Sequence, residues 1–435
     1  MSILLLMDDD EVRPLAVPVG FGYTPPFNIY SDGTTSFRFD SLYDAIDPAD
    51  ITDYYVSPSG ATGNNGLTPA TPKLSIGAML TTAAGAATPW VRINIAAGDY
   101  GWNGMRMPGI SWPNKNVILK VTSGNAFCGP FYRGTGLPWA LNSGTTYSTT
   151  RSAVYEVRDY TSTNSYGDPI RYTLAADLTA CQATPNSWFQ SGSTLYVNNG
   201  VGQPGANVLV LVTGDNSIWS QNKTAIIDGG ASGSITFLGG QTSCFRAIGT
   251  NDQTVYARRA YFRFSKADDC YETIGTGLSL AYQCKVSGSY LDGFNYHSNG
   301  AALPTAIEIE CEGYDCGSSG TGTNNASTIH DGGAIVRVSG SYQGTDGPVI
   351  ADVNDGTRSW NVTCLAKDSL RNNGAETDAS WGVYTGSAKM WLDRCTYGAG
   401  ASTSEYDLAV GAGSTMYLRG TPEGNSSVAG TLATY

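Results

Sequence analysis

Five short segments recur in the C-terminal part of the chain: AYQCKVSG, IEIECEGY, AIVRVSGS, WNVTCLAK and WLDRCTYG. Their centres, Cys284, Cys311, Val338, Cys364 and Cys395, stand 27, 27, 26 and 31 residues apart. A period this short has room for one strand and two or three turns. Such a unit cannot bury an apolar face alone, and only coil stacked on coil gives it a core. In TAIEIEC, Ile307, Ile309 and Cys311 alternate with Glu308 and Glu310. In GAIVRVS, Val336 and Val338 alternate with Arg337 and Ser339. That is the two-residue period of a half-buried strand. The phase predicts an inward column of Cys284, Cys311, Val338, Cys364 and Cys395, with Glu310 and Arg337 paired on the outer surface of adjacent coils.

Composition agrees with an all-β chain. Of 435 residues 41% are apolar, only 14% are charged and 54 are glycine. Runs rich in Val, Ile, Thr and Tyr alternate with Gly/Asn/Asp/Ser clusters, and no long stretch has helical periodicity. The net charge of −12 repels a phosphate backbone, which argues against nucleic acid as a partner. No apolar stretch is long enough to predict membrane insertion. The start, MSILLLMDDD, lacks the basic region and apolar length of a signal peptide. Nine cysteines without a CxxC pair are expected to be buried, reduced thiols.

The segment DYYVSPSGATGNNGLTPATPKLSIGAML, residues 53–80, resembles the opening of right-handed parallel β-helix proteins of the pectate-lyase-like superfamily. There a YYVSPSG strand leads through a GL-TPATP turn to a short helix that caps the solenoid. VRINIAAGDY, residues 91–100, resembles the first full coil. PNSWFQSGSTLYVNNG, residues 185–200, resembles an insertion found in carbohydrate-active β-helices. The resemblance implies an all-β, right-handed parallel β-helix with a short N-terminal capping helix. Residues 1–50 would be an attachment or cap segment, and residues 51–435 the β-helix, with a β-rich side insertion at about 132–212. Virion spikes of this superfamily attach through the N-terminal segment and trimerise. The expectation is therefore a homotrimeric bacteriophage spike or fibre, made in the host cytoplasm without a signal peptide.

Stacked parallel strands lie about 4.8 Å apart, so equivalent turn positions form ladders. Two ladders read wholly polar: Asp292, Ser319, Asp346, Asn372, and His297, Asn325, Asp352, Asp378. Asp292 and Asp346, two rungs apart, would be separated by about 9.6 Å, near the range of about 6.5–9.5 Å that inverting glycosidases use. The only two histidines are His297 in LDGFNYHSNG and His330 in STIHDGG, and these two segments are expected on adjacent turns of one solenoid, near one another. A neighbouring carboxylate can orient a histidine ring or raise its pKa. Asp292 and His297 flank one turn, whereas His330 and Asp331 are adjacent in sequence, so their side chains need not meet. Asp292, His297, His330, Asp331, Asp346 and Asp352 are thus the candidate catalytic residues. Tyr296, Trp360 and Trp381, with Glu310 and Arg337, are the candidates for holding a glycan. Aspartate and asparagine also favour turns by bonding locally to the backbone, so a purely structural reading stands beside the catalytic one.

In KADDCYET, Asp268, Asp269 and Glu272 have the character of a calcium site, although no other cofactor is expected. The basic residue of pectate lyases and the aspartate set of polygalacturonases are not matched, so no named reaction carries over. The leading expectation is a virion spike that recognises, and in one version cleaves, a bacterial surface polysaccharide. The alternatives are a non-catalytic structural or receptor-binding β-helix and a free extracellular lyase or glycosidase.

Overall fold

The computed structural model describes residues 12–101, 112–214, 217–300, 302–321, 323–370, 377–398 and 406–435. Among these residues the chain is a parallel β-helix. Three parallel sheets run its length, one of twelve strands and two of nine. The longest runs from Ile51–Val56 to Thr431–Thr434 and contains the strands Thr305–Ile309, Ala334–Val338 and Arg358–Val362. A helix, Ile76–Ala83, is capped by Ser75, whose Oγ accepts from the Ala78 N–H at 3.2 Å. Its buried face of Ile76, Met79, Leu80 and Ala83 joins the solenoid core. Helix propensity is not what holds so short a segment; burial of that face is.

From Phe131 to Val212 the chain leaves the solenoid and folds as one antiparallel and one mostly antiparallel sheet, in which Thr173–Leu174 pairs in parallel, with a separate core around Val157, Tyr172, Trp188, Leu195 and Val210. PNSWFQSGSTLYVNNG supplies the hairpin Ser187–Ser191 and Thr194–Asn198 within it. All nine cysteines are buried and unbridged.

The phase of the long sheet is opposite to the sequence expectation. Ala306 and Ile335 face the core, and so do Glu308 and Arg337, each fully buried. Ile307 and Ile309 face outward, against Tyr23, Phe27 and Phe37. Val336 and Val338 face outward against Phe21 and Ile29. Alternation alone could not decide the matter, because residues 12–50 lie lengthwise along this sheet and cover it. The outer face is therefore as dry as the inner one. Trp360 belongs to that cover: Phe21 meets Trp360 and Trp391 edge-on at 6.1 and 5.9 Å. Ion pairing fixes the far end of the segment, with Arg258 donating to Asp40 at 2.8 Å. Gly33, at φ +83°, passes so close to Thr363 and Ser339 that a Cβ there would collide with both. Phe21→Ala is expected to cost about 3–5 kcal/mol, as for other buried aromatics. Faster proteolysis between residues 12 and 50 would report it.

The cysteines return inward because the preceding residue in each coil is left-handed. Gln283, Glu310, Ser339, Thr363 and Arg394 all have φ between 48 and 54°, which breaks the alternation at the corner. Glu310 therefore lies on the rung of Ser339, not of Arg337, and its carboxylate accepts from the Gln283 side chain at 2.7 Å. Gly340, rather than Val338, occupies the cysteine column, and its N–H donates to Cys364 Sγ.

Inside the solenoid, Arg337 donates twice to Asp352 at 2.9 and 3.0 Å, to Ser327 Oγ at 2.9 Å and to Asn361 Oδ1 at 3.2 Å. Ser327 Oγ in turn donates to Glu308 at 2.7 Å, and Tyr342 donates its hydroxyl to the other oxygen. Both Arg337 and Asp352 are fully buried. Burial holds the Glu308 carboxyl above its ordinary range, and Arg337 offsets part of that shift.

Candidate functional site

One nine-stranded sheet stacks Phe245–Ile248, Tyr271–Ile274, Phe294–His297, Ser327–Ile329 and Ile350–Val353 in parallel. The register sets Arg246, Glu272, Asn295 and Thr328 in one column on successive coils. Tyr296 pairs with Ile329, so His297 and His330 follow on adjacent rungs. Their rings stack with centroids 4.2 Å apart and planes 20° from parallel.

The turns before these strands carry a ladder of acid and amide side chains. Asp269 Oδ1 accepts the N–H of Asp292 at 2.8 Å, and Asp292 Oδ1 accepts the N–H of Asn325 at 2.6 Å. Asn325 Nδ2 donates onward to the Pro348 carbonyl at 2.5 Å. Each side chain thus satisfies the backbone of the next coil. The remaining oxygens of Asp269 and Asp292 both accept from Asn295 Nδ2, at 2.9 and 3.0 Å. Two carboxyl groups facing one amide donor carry two full charges only at high cost.

Burial, and after it Asp292, Asp268 and Glu272, hold the Asp269 carboxyl well above its ordinary range. Burial and then Glu272 raise Asp268, while Arg246 pulls it back. Arg246 donates to Glu272 at 2.7 Å and to Asp268 at 3.3 Å. With Asn324, Asn325, Thr321 and Thr323 these groups line an open cleft of about 500 Å³.

One oxygen each of Asp268, Asp269 and Glu272 lies within 4.8 Å of the others. The Arg246 guanidinium already neutralises two of the three, and both Asp269 oxygens accept N–H bonds. Calcium prefers about six to eight oxygen ligands, and these residues do not fit it.

The histidines differ in setting. His297 Nδ1 lies 3.5 Å from Asp331 Oδ2, and both side chains are partly exposed. His330 lies deeper, its Nε2 3.1 Å from Thr328 Oγ1. Burial and then His297 lower its pKa from 6.5 to about 4. An unfolded chain therefore takes up a proton near pH 6.5 that the folded chain refuses until about pH 4. This group's contribution to stability is present above pH 6.5 and is lost as pH falls through about 4. Asp268 and Asp269, raised in the fold, carry the opposite sign. His330→Gln is thus expected to show a smaller loss of stability than wild type between pH 6.5 and 4, read as the difference in denaturant midpoint.

Several expected site residues lie elsewhere. Asp346 lines a separate cleft against the side insertion with Arg158, Arg171 and Asp315. Asn325, not Asp346, is the ladder neighbour of Asp292. Asp352 and Arg337 are ion-paired inside the solenoid. Tyr296 and Trp381 belong to the interior core, and Trp360 lies under the N-terminal segment, its Nε1 donating to Asp393 at 2.6 Å. A saccharide in solution reaches none of these five. Glu310 is exposed, but it lies at the corner of a different sheet. Asn372 falls outside the described residues. The cleft is built instead from Asp292, His297 and His330 of the expected set, joined by Asp268, Asp269, Glu272, Arg246 and Asn295, while Asp331 touches it only through His297. The readable signal for the additions was the KADDCYET acid cluster, one coil before LDGFNYHSNG.

The sequence matches no protein-family model and no curated protein. Among solved structures, a chain described as a glycoside hydrolase aligns over 88% of this chain and 96% of its own, with a TM-score of 0.51 at 10% identity. The tailspike protein gp49 from Pseudomonas phage LKA1 aligns over 82% of this chain and 71% of its own, with a TM-score of 0.25 at 13% identity. The likeness to the first is one of fold.

Proposed function

We propose that this β-helix binds and hydrolyses an uncharged bacterial surface polysaccharide, and that it does so as a spike carried on a virion. The observation supporting it most is the convergence of Asp268, Asp269, Glu272 and Asp292 in one open cleft beside two stacked histidines. Four carboxyl groups against one guanidinium make the cleft electronegative, so an acidic glycan is repelled. Elimination needs a uronic acid, which leaves hydrolysis as the fitting chemistry.

Asp269 and Asp292 share a proton, and Asp292, the half-buried member at the cleft surface, gives it to the glycosidic oxygen. Asp269 acts through Asp292 as a positioning residue. Asp268, kept ionised by Arg246 and raised by burial, is a stronger base than an ordinary aspartate and draws the proton from the attacking water. The virion setting, a homotrimeric state and an attachment role for the N-terminal segment rest on the sequence resemblance at residues 53–80 and 185–200. Mass spectrometry of purified particles tests that part.

A binding-only reading is favoured by one observation, the Arg246 ion pairs that tie up Asp268 and Glu272. The deciding experiment incubates the protein with neutral surface polysaccharides and follows chain length by size-exclusion chromatography and new reducing ends. Shortened chains with reducing ends and no new carbon–carbon double bond support hydrolysis. Retention without shortening supports the binding-only reading.

A further inference from the structure

We infer that the side insertion carries a second, non-catalytic binding site for an uncharged saccharide, in the cleft between its 199–208 loop and the far end of the strand Val154–Thr163. The cleft encloses about 370 Å³, within the range of about 300–1,000 Å³ typical of small-ligand sites. It belongs to a unit with its own core and shares no lining residue with the acidic cleft.

Its walls are built before any ligand arrives. Asn199 Oδ1 accepts the N–H groups of Val201 and Gly202 at 3.3 and 3.0 Å, which shapes the loop. Asp159 accepts from the Tyr172 hydroxyl at 2.9 Å and from the Thr161 N–H at 2.8 Å, so each oxygen of its carboxylate has a partner. No lysine or arginine lines the cleft, so an anionic ligand lacks a counter-ion there, and the one carboxylate, Asp159, already accepts two hydrogen bonds.

The other polar groups are different. The side-chain amides of Asn186, Gln203 and Asn207 line the cleft and make no hydrogen bond to another described residue. Each offers both donors and an acceptor, the complement of vicinal sugar hydroxyls. Ile170 and Val201, the latter 89% exposed, provide apolar surface for the C–H face of a pyranose ring. Asn186 opens the hairpin motif and Asn199 lies near its end. The motif singled out in the sequence thus has its two ends at this cleft. Such a site would hold a long polymer beside the solenoid while the acidic cleft acts on it.

The test runs the full-length protein through native gels cast with dextran, galactomannan or polygalacturonate. Asn186→Gly, which keeps the left-handed backbone at φ 57°, is combined with Gln203→Ala and Asn207→Ala, all three at exposed positions. Expected is retardation by a neutral polymer that the triple variant weakens by about tenfold, the loss of one or two net hydrogen bonds. Asp268→Asn should leave that retardation in place. Retardation by polygalacturonate instead of a neutral polymer overturns the proposal, and so does retardation by neither neutral polymer. Retardation that Asp268→Asn abolishes and the triple variant leaves intact overturns it too, while the reading of the acidic cleft survives.

Discussion

Asp292→Asn lowers the rate of polysaccharide shortening by about 10²–10⁴-fold, the usual worth of a positioned proton donor, and leaves the glycan bound. The amide fills the same volume and still accepts the Asn325 N–H through its carbonyl oxygen, so the turn ladder survives and the loss is one of chemistry. Asp268→Asn has an effect of similar size from the other side of the reaction. Asp269→Asn behaves differently. It removes the neighbour that keeps a proton on the pair, so the alkaline limb of the pH–rate profile, where the donor loses its proton, moves to lower pH while part of the activity persists. These three profiles, measured with circular dichroism as a check on folding, separate a proton donor from a residue that acts through it. Equal, pH-independent losses for all three, with the fold intact, would remove the assigned roles.

Arg337→Leu destabilises the protein by about 3–5 kcal/mol, the cost of removing one partner from a buried ion pair. Asp352 is left inside the solenoid without its two guanidinium bonds, and Glu308 loses the cation that offsets its burial. The effect is read as a fall in the denaturant midpoint, because stacked coils need not unfold in one step. Replacing Glu308, Arg337 and Asp352 together with leucine should recover most of the loss, since no charge is then left unpaired. A triple variant as unstable as Arg337→Leu alone would mean that the network contributes net stability beyond neutralising its own charges.

These residues also show where reading the sequence stops. Glu308 and Arg337 look like surface positions because they alternate with Ile307, Ile309, Val336 and Val338. Alternation reveals that two faces differ, and says nothing about which faces inward. Here both faces are dry. Trp360 and Trp381 misled for the same reason, since a turn-rich neighbourhood does not imply exposure. The histidines were legible because they fall at equivalent strand ends on successive coils, His297 closing Phe294–His297 and His330 just after Ser327–Ile329, and stacking brings such positions within one rung of each other. The acid cleft was half legible. KADDCYET stood out as an acid cluster, but the distance from Asp269 to Asp292 is 23 residues and from Asp292 to Asn325 it is 33. No constant offset lines them up.

The coil period, the polar turns and the hairpin motif by themselves determined that this chain is a β-solenoid with a side insertion and two neighbouring histidines. Those features follow from local periodicity and the stacking it compels. The inward face of each strand, the burial of the Arg337 network and the convergence of four carboxyl groups were decided only by the tertiary structure. They depend on what packs against each sheet and on how far each turn bulges, and both are set by contacts between residues far apart in the chain.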